Sequence, residues 1–345
     1  MGRKIKVLVV DDSALIRNVL TDIINAHPDI EVIGTASNPY HAVEKIKKEA
    51  PDVITLDIVM PRMDGITFLR KIMTQHPLAV VVISSLTAKD SEHAVKALEL
   101  GAISVIQKPS ITSNESLKES KEAIIDSIIS ASHAKIDRKI KEYKAVEKVI
   151  SQKEEEPNNA IIAIGASAGG TEVISHILKN LEPPCPPILI SQHMPAGFTK
   201  AFADRLNTLC KLHVEEVSIS EIAKPNHVYI APGNYHLILK KAGKNFTFYL
   251  SDEDPVNRHK PSVDVMFDSF AKIAANRTLA ILLTGMGKDG AEGLKNIRNA
   301  GGYTIAQDEN SCVVFGMPKE AIARGAAVKV MQPNDIIREI INFKR

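Results

Sequence analysis

The chain contains no tryptophan, and aromatic residues make up only 4% of its 345 residues. Little material is left for platforms on which nucleic-acid bases stack. Three cysteines, Cys185, Cys210 and Cys312, are odd in number, widely spaced and form no C-x-x-C pair. A disulfide framework or a zinc site is therefore not expected, and a reducing, cytoplasmic setting fits. The formal net charge is only +2, too close to balance to create a strong field for nucleic acid or a membrane surface. Long apolar runs are also missing. The first, at residues 7–10, is too short for a signal peptide, and Lys6 breaks the myristoylation pattern. No stretch approaches the roughly 20 apolar residues of a spanning helix. The expectation is a protein that is neither exported nor inserted in a membrane, and that binds no nucleic acid.

What is present is ample core material: 44% of residues are hydrophobic and 24% charged, enough for two domains of ordinary globular composition. Short β-branched runs at 7–10, 31–36, 53–56, 79–83 and 103–106 alternate with stretches at 14–27, 41–49 and 91–100 that carry apolar residues at helical spacing. A further helix is expected at about 115–130. Such alternation predicts a parallel sheet with helices on both faces. From 135 to 156 the chain is dense in Lys and Glu and has no glycine; a charged, partly helical linker is expected over 131–157. A second α/β series follows, with strands expected at 161–164, 188–190, 228–230, 279–283 and 327–330, a helix at 263–275, and an inserted hairpin at 236–250 turning at Gly243-Lys244-Asn245. The domains are thus 1–130 and 158–345.

In the first half, chemistry-bearing residues fall where strands should end. Asp11 and Asp12 follow the first, Asp57 the third, Ser84 the fourth and Lys108 the fifth. The carboxyl ends of neighbouring parallel strands open onto one crevice. Three carboxylates there would repel unless a divalent cation joined them, and oxygen ligands with water suit Mg²⁺. A metal and a lysine flanking Asp57 would neutralise an incoming phosphoryl group, so that Asp57 could form an acyl phosphate. One such aspartate alone would read as a helix cap; five polar residues at these strand ends do not.

The segments Val9-Val10-Asp11-Asp12-Ser13, Asp57-Ile58-Val59-Met60-Pro61-Arg62-Met63-Asp64-Gly65, Ser84 and Lys108-Pro109 resemble two-component receiver domains over about residues 5–130. The resemblance implies a flavodoxin-like fold in which Asp57 accepts phosphate from a histidine kinase, Asp12 binds Mg²⁺ directly with Asp11 assisting, Ser84 reorients onto the phosphate and Lys108 pairs with it. The Lys108-Pro109 bond is often cis in that family. Val105 stands where many receivers carry an aromatic switch residue.

In the second half, the expected strand at 161–164 runs into Gly165-Ala166-Ser167-Ala168-Gly169-Gly170. A dinucleotide-binding loop would need glycine where Ser167 stands. The hexapeptide fits G-x-S-x-G instead, which presents a serine nucleophile on a sharp strand-to-helix turn. Such a serine needs a base, and the base needs an acid. His193 follows the next expected strand, in Ser191-Gln192-His193-Met194-Pro195, and Asp289 follows the strand at 279–283, in Thr284-Gly285-Met286-Gly287-Lys288-Asp289-Gly290. The order Ser, His, Asp differs from that of α/β-hydrolases. Spacing leaves alternatives open: Asp289 could cap the following helix, Asp264 is a rival acid, and His213, His227, His236 and His259 are rival bases.

The pieces Ile164-Gly165-Ala166-Ser167-Ala168-Gly169-Gly170-Thr171, Gln192-His193-Met194-Pro195 with Phe198-Thr199, and Leu283-Thr284-Gly285-Met286-Gly287-Lys288-Asp289-Gly290 resemble chemotaxis methylesterase catalytic domains. So do His259-Lys260-Pro261-Ser262-Val263-Asp264 and Ser311-Cys312-Val313-Val314-Phe315-Gly316-Met317-Pro318. Ala168 stands where that family usually has Thr. The resemblance covers about residues 158–345. It implies a Rossmann-like α/β domain with a triad of Ser167, His193 and Asp289, the Met286 backbone amide near the oxyanion, and no metal in this domain. It also implies a chemotaxis histidine kinase as phosphoryl donor and, as substrate, γ-glutamyl methyl esters on the cytoplasmic part of methyl-accepting chemoreceptors. Deamidation of receptor glutamines, and an unphosphorylated receiver packed over the catalytic crevice, are further implications. A DNA-binding regulator would need a basic recognition helix, of which the second half has no sign.

Overall fold

Runs of β-branched residues become the strands of two parallel sheets in the computed structural model, which describes residues 3–60, 64–109, 114–136, 160–218 and 220–343. Most of the stretch expected as a linker lies outside the described residues. The chain divides into two units, Met1–Lys141 and Glu142–Arg345.

In the first unit the order is β1 Ile5–Val10, α1 Ala14–Asn25, β2 Ile30–Ala36, α2 Pro39–Lys48, β3 Val53–Leu56, α3 Gly65–Gln75, β4 Ala79–Ser84, α4 Ala88–Glu99, β5 Ser104–Gln107 and α5 Asn114–Ser132. The strands lie in the order β2-β1-β3-β4-β5 and every pairing is parallel. This is a doubly wound sheet whose order reverses beside β1, where a crevice opens at the strand ends. β3 and β4 are buried along their whole length, as expected of strands covered on both faces. Ser13, Asn38, Asp64 and Thr87 accept from amides in the first turns of α1 to α4 and so start those helices. Helix α3, with Phe68, Leu69 and Ile72 buried, is an addition to the elements expected from periodicity.

The second unit runs β6 Ile161–Ala166, α6 Gly170–Lys179, β7 Ile188–Gln192, α7 Phe198–Leu209, β8 His213–Glu216, β9 Glu221–Ile222, β10 His227–Ile230, β11 His236–Ala242, β12 Asn245–Ser251, α8 Val263–Ile273, β13 Thr278–Leu282, α9 Ala291–Asn299, β14 Tyr303–Gln307, α10 Met317–Ala323, β15 Lys329–Met331 and α11 Pro333–Asn342. Seven strands form one parallel sheet, ordered β15-β14-β13-β6-β7-β10-β8. The expected hairpin is β11–β12, turning at Gly243, whose φ of +61° suits glycine. It is not isolated, because β9 pairs with β12 to make a three-stranded sheet.

Three strands escaped the periodicity reading. β8, with the sequence His-Val-Glu-Glu, buries only Val214. β9 is two residues long. β14 is not among the expected strands; its polar Thr304 and Gln307 are fully buried and bonded, Thr304 Oγ1 to the Ala326 carbonyl and Gln307 Oε1 to the Thr284 amide. The last strand, expected at 327–330, falls at Lys329–Met331, where it pairs with Ile305–Gln307 of β14.

Helix α8 anchors the core of this unit. Phe267 and Phe270 are fully buried with Tyr229 and Phe248 in one apolar cluster, and each such side chain contributes about 1.5–3 kcal/mol on burial. Tyr229 and Phe248 meet at 4.5 Å between ring centroids, tilted by 53°, a favourable aromatic geometry.

Candidate active site

At the carboxyl end of the first sheet, the pairing continues just past the strands and carries the polar residues into one row. The Asp57 amide donates to the Val10 carbonyl at 2.9 Å, and the Lys108 amide to the Ser84 carbonyl at 2.9 Å. Lys108 Nζ lies 2.7 Å from Asp57 Oδ2 and 3.0 Å from Asp11 Oδ2. Burial pushes the Asp57 carboxyl up from its ordinary value, against the pull of Lys108. Burial would push Lys108 down, but its bonds to Asp57 and Asp11 outweigh that and hold the ammonium above its ordinary value. Lys108 gets its direction from these ion pairs, and its bond to Pro109 is not among the cis peptides of the described residues, which are Pro183-Pro184 and Lys260-Pro261.

Asp11, Asp12 and Asp57 each offer an oxygen within 4.8 Å of the others. Asp12 is exposed while the other two are buried, so the cluster is open to water on one side. Three carboxylates against one ammonium leave an excess of negative charge. Hard oxygen donors with room for water fit Mg²⁺. The Ser84 hydroxyl, at the end of β4, is fully buried and has no hydrogen-bond partner among the described residues. Val105, in place of an aromatic, is buried.

The second crevice lies at the carboxyl ends of three adjacent strands, β7, β6 and β13. Ser167 directly follows β6, and its amide donates to the Thr284 carbonyl beyond β13 at 3.0 Å. His193 directly follows β7, its amide bonded to the Ala166 carbonyl at 3.0 Å. Gln192 Nε2 ties the two segments together, donating to the Ser167 carbonyl at 3.0 Å and the His193 carbonyl at 3.1 Å. Gly169, at φ +74°, makes the sharp turn into α6; a Cβ there would stand 2.6 Å from Val313. Ser167 thus sits at the entry of a helix, half-buried, with small neighbours on both sides.

His193 Nε2 is 2.8 Å from Asp289 Oδ2. Asp289 is 1% exposed and takes four more donors: Val263 N on Oδ2 at 2.7 Å, and Asn257 Nδ2, Ser262 Oγ and Asp264 N on Oδ1 at 2.8, 2.8 and 3.2 Å. Burial would raise its pKa, but the His193 ring and these donors outweigh burial and hold the carboxyl well below the usual carboxylate range. An ionised carboxylate only accepts, so the His193 ring proton sits on Nε2. Nδ1 then carries the lone pair, and it is buried with no partner among the described residues. This ring orientation is the reverse of the one in serine proteases, where Nδ1 faces the aspartate. The Ser167 hydroxyl makes no bond to Nδ1 here; catalytic hydrogen bonds are often loose until substrate is bound.

The alternatives open in the sequence separate cleanly. Asp289 does not cap the helix that follows it: α9 begins at Ala291, its N-cap is Gly290, and no side chain caps it. Its carboxylate instead meets the first amides of α8, where the helix dipole favours negative charge. Asp264 points elsewhere, accepting from Gly293 N at 2.7 Å and Asn257 Nδ2 at 2.8 Å. Burial pushes it up to about 6, with the Asp289 charge adding to the effect. His236 accepts from the Ser262 amide and is fully buried, and His213 and His227 lie at the far ends of β8 and β10. His259 is different, because its ring stacks on that of His193. Nothing in its local sequence pointed to that stacking beyond its place in the segment 259–264.

The loop after β13 is built tightly against Ser167. A Cβ on Gly285 would lie 2.6 Å from Ser167 Cβ and 2.3 Å from Met317 Sδ. The Gly285 carbonyl accepts from Gly316 and Met317, and its amide donates to Val314, which explains the need for the segment 311–318. The Met286 amide makes no hydrogen bond among the described residues.

A phosphate-type crevice in one unit and a serine–histidine–aspartate crevice in the other define a response regulator coupled to a hydrolase. Family models for the response regulator receiver domain and for CheB methylesterase match residues 7–120 and 162–340. The protein-glutamate methylesterase/protein-glutamine glutaminase of Nitrosomonas europaea is 49% identical over 344 residues, covering 98% of this chain and 96% of that one. That of Methylobacillus flagellatus is 48% identical over 355 residues, with 98% and 96% covered. The crystal structure of the Thermotoga maritima CheB methylesterase catalytic domain, 43% identical, matches with a TM-score of 0.52 over 53% of this chain and 98% of that chain. The chain belongs to the CheB methylesterase family.

Proposed function

We propose that this chain is a phosphorylation-controlled serine esterase that hydrolyses glutamate methyl esters on chemoreceptors, releasing methanol, and converts receptor glutamines to glutamates by the same route. The observation that carries the reading is the His193 ring. One nitrogen is bound to an ionised, buried aspartate, and the other is left bare in the crevice where Ser167 emerges.

Ser167 is the nucleophile. As its Oγ attacks the ester carbonyl, His193 Nδ1 takes the hydroxyl proton, and Asp289 stabilises the imidazolium through Nε2. The developing oxyanion is received by the free Met286 N–H, held in place by the bonds at Gly285. His193 returns the proton to the departing methanol, then activates the water that releases glutamate and frees Ser167.

In the receiver, Asp57 accepts the phosphoryl group from a histidine kinase. Asp11, Asp12 and Asp57 would hold Mg²⁺, which supplies charge neutralisation for the transfer. Lys108 pairs with the transferred phosphate, and the unpartnered Ser84 hydroxyl is available to turn onto it. A phosphate on Asp57 raises esterase activity by shifting an existing equilibrium.

The test is methanol release from methylated receptor membranes. Ser167→Ala is expected to abolish it, together with labelling by a fluorophosphonate probe, while phosphorylation of Asp57 continues. Acetyl phosphate with Mg²⁺ raises the activity of the full chain, and Asp57→Asn removes that response but keeps basal turnover. Near wild-type turnover in Ser167→Ala would overturn the assignment.

A further inference from the structure

The Ser167 crevice occupies the carboxyl ends of the second sheet. At the opposite ends of the same sheet, β8 and β10 begin side by side, with His213 and His227 paired in register. Glu215 lies two residues along β8, on the same face as His213. A ring nitrogen from each histidine and a carboxylate oxygen of Glu215 all lie within 4.8 Å of one another. His213 Nε2 is 3.8 Å from Glu215 Oε1, and the two rings are 4.9 Å apart.

The His227 ring is set for ligation. Its Nδ1 lies 3.0 Å from the Pro225 carbonyl, which can only accept, so the proton sits on Nδ1 and Nε2 carries a free lone pair. Metal-bound histidines commonly donate their other N–H to a backbone carbonyl in this way. The ring also stacks along Tyr229, 6.0 Å away and inclined by 17°, which limits its rotation. The His213 side chain is 51% exposed and that of Glu215 35%, so an ion and a coordinating water can enter from solvent.

We propose that His213, Glu215 and His227 form a binding site for Zn²⁺ or a similar divalent transition metal. Two imidazoles and one carboxylate, with water in fourth place, are a donor set suited to zinc; oxygen donors are too few for Mg²⁺ or Ca²⁺. Ligand atoms about 2.0–2.2 Å from a tetrahedral ion stand roughly 3.4 Å apart, a closure within reach of the exposed His213 and half-buried Glu215 side chains. The ion ties edge strand β8 to β10 and acts on stability, not on the ester reaction. It does not require cysteine, which was the ground for expecting no zinc, and it differs from the expectation of a metal-free catalytic domain.

The experiment titrates Zn²⁺ into the untagged, chelator-treated full chain by calorimetry, with excess Mg²⁺ present to occupy the receiver carboxylates. Co²⁺ is then substituted for its visible spectrum. The expected result is one zinc equivalent per chain, a tetrahedral cobalt band, and a raised unfolding temperature on metal addition. His213→Gln, at an exposed position, and Glu215→Gln, at a half-buried one, are expected to weaken zinc binding roughly tenfold or more and remove the band. Metal-free esterase activity of these variants stays at the wild-type level. Titrations that superimpose for wild type and both variants would overturn the proposal. So would a zinc equivalent lost only in Asp12→Asn or His193→Ala.

Discussion

His259 lies flat against His193, with ring centroids 3.7 Å apart and planes inclined by only 16°. Two imidazoles in such contact cannot both carry a proton at low cost. Burial, reinforced by repulsion from His193, pushes His259 down from 6.5 to about 3. Unfolded, the same residue would protonate first as the pH falls. Its contribution is therefore complete above about pH 6.5 and is lost progressively toward pH 3. Between pH 7.5 and 4.5 the catalytic unit is expected to lose roughly 2–3 kcal/mol from this group, at about 1.4 kcal/mol per pKa unit. Hydrogen exchange at the slowest amides of β6 and β13 measures it, with His259→Gln as the comparison. Equal pH dependence in both proteins would refute the account.

Asp289 and Asp264 share Asn257 as a donor, yet only Asp289 reaches His193. Asp289→Asn turns an obligate acceptor into a group that can donate, which favours the wrong histidine tautomer. Turnover is expected to fall roughly 10⁴-fold. Asp264→Asn keeps an acceptor for the Gly293 amide and is expected to change the chemical step by less than about tenfold. Single-turnover ester cleavage decides, and a reversed ranking would move the triad acid.

Gly285 has no room for a side chain beside Ser167. Gly285→Ala must displace either Ser167 or Met317, and a shift of about 1 Å in a nucleophile can cost a hundredfold. The fluorophosphonate labelling rate is expected to drop by about that factor while receiver phosphorylation is unchanged. Labelling at the wild-type rate would show that the loop can yield elsewhere.

Ser84 buries a hydroxyl that bonds to nothing among the described residues. Removing it forfeits no hydrogen bond, so Ser84→Ala is expected to alter receiver stability by less than about 1 kcal/mol. Activation by acetyl phosphate is expected to weaken, since the phosphate loses a donor. Urea unfolding and methanol release read the two effects separately. A large stability loss with intact activation would reverse the interpretation.

Both crevices were legible in the sequence because parallel sheets gather strand ends and because serine, histidine, aspartate and lysine stood at those ends. Asp57 and Lys108 lie far apart in sequence yet meet through the register of three strands. What stayed hidden depends on contacts with no local pattern. The donors around Asp289 come from residues 257–264, which tertiary packing alone brings close. His259 looked like one histidine among rivals, and only its ring plane reveals its role. β8 and β14 mix polar and apolar residues, so neither forms an apolar run, and in β14 the polar groups are satisfied inside the core.

Asp289 answers to two structures at once, the His193 ring and the first turn of α8. The helix whose phenylalanines fill the core also gives this carboxylate two backbone donors. If α8 loosens, the backbone donors leave, water enters, and the hold on the His193 tautomer fades while the sheet is still intact. Ester hydrolysis in this chain is thus a gauge of how firmly a single helix is seated, and inactivation by heat or denaturant should run ahead of the melting of the strands.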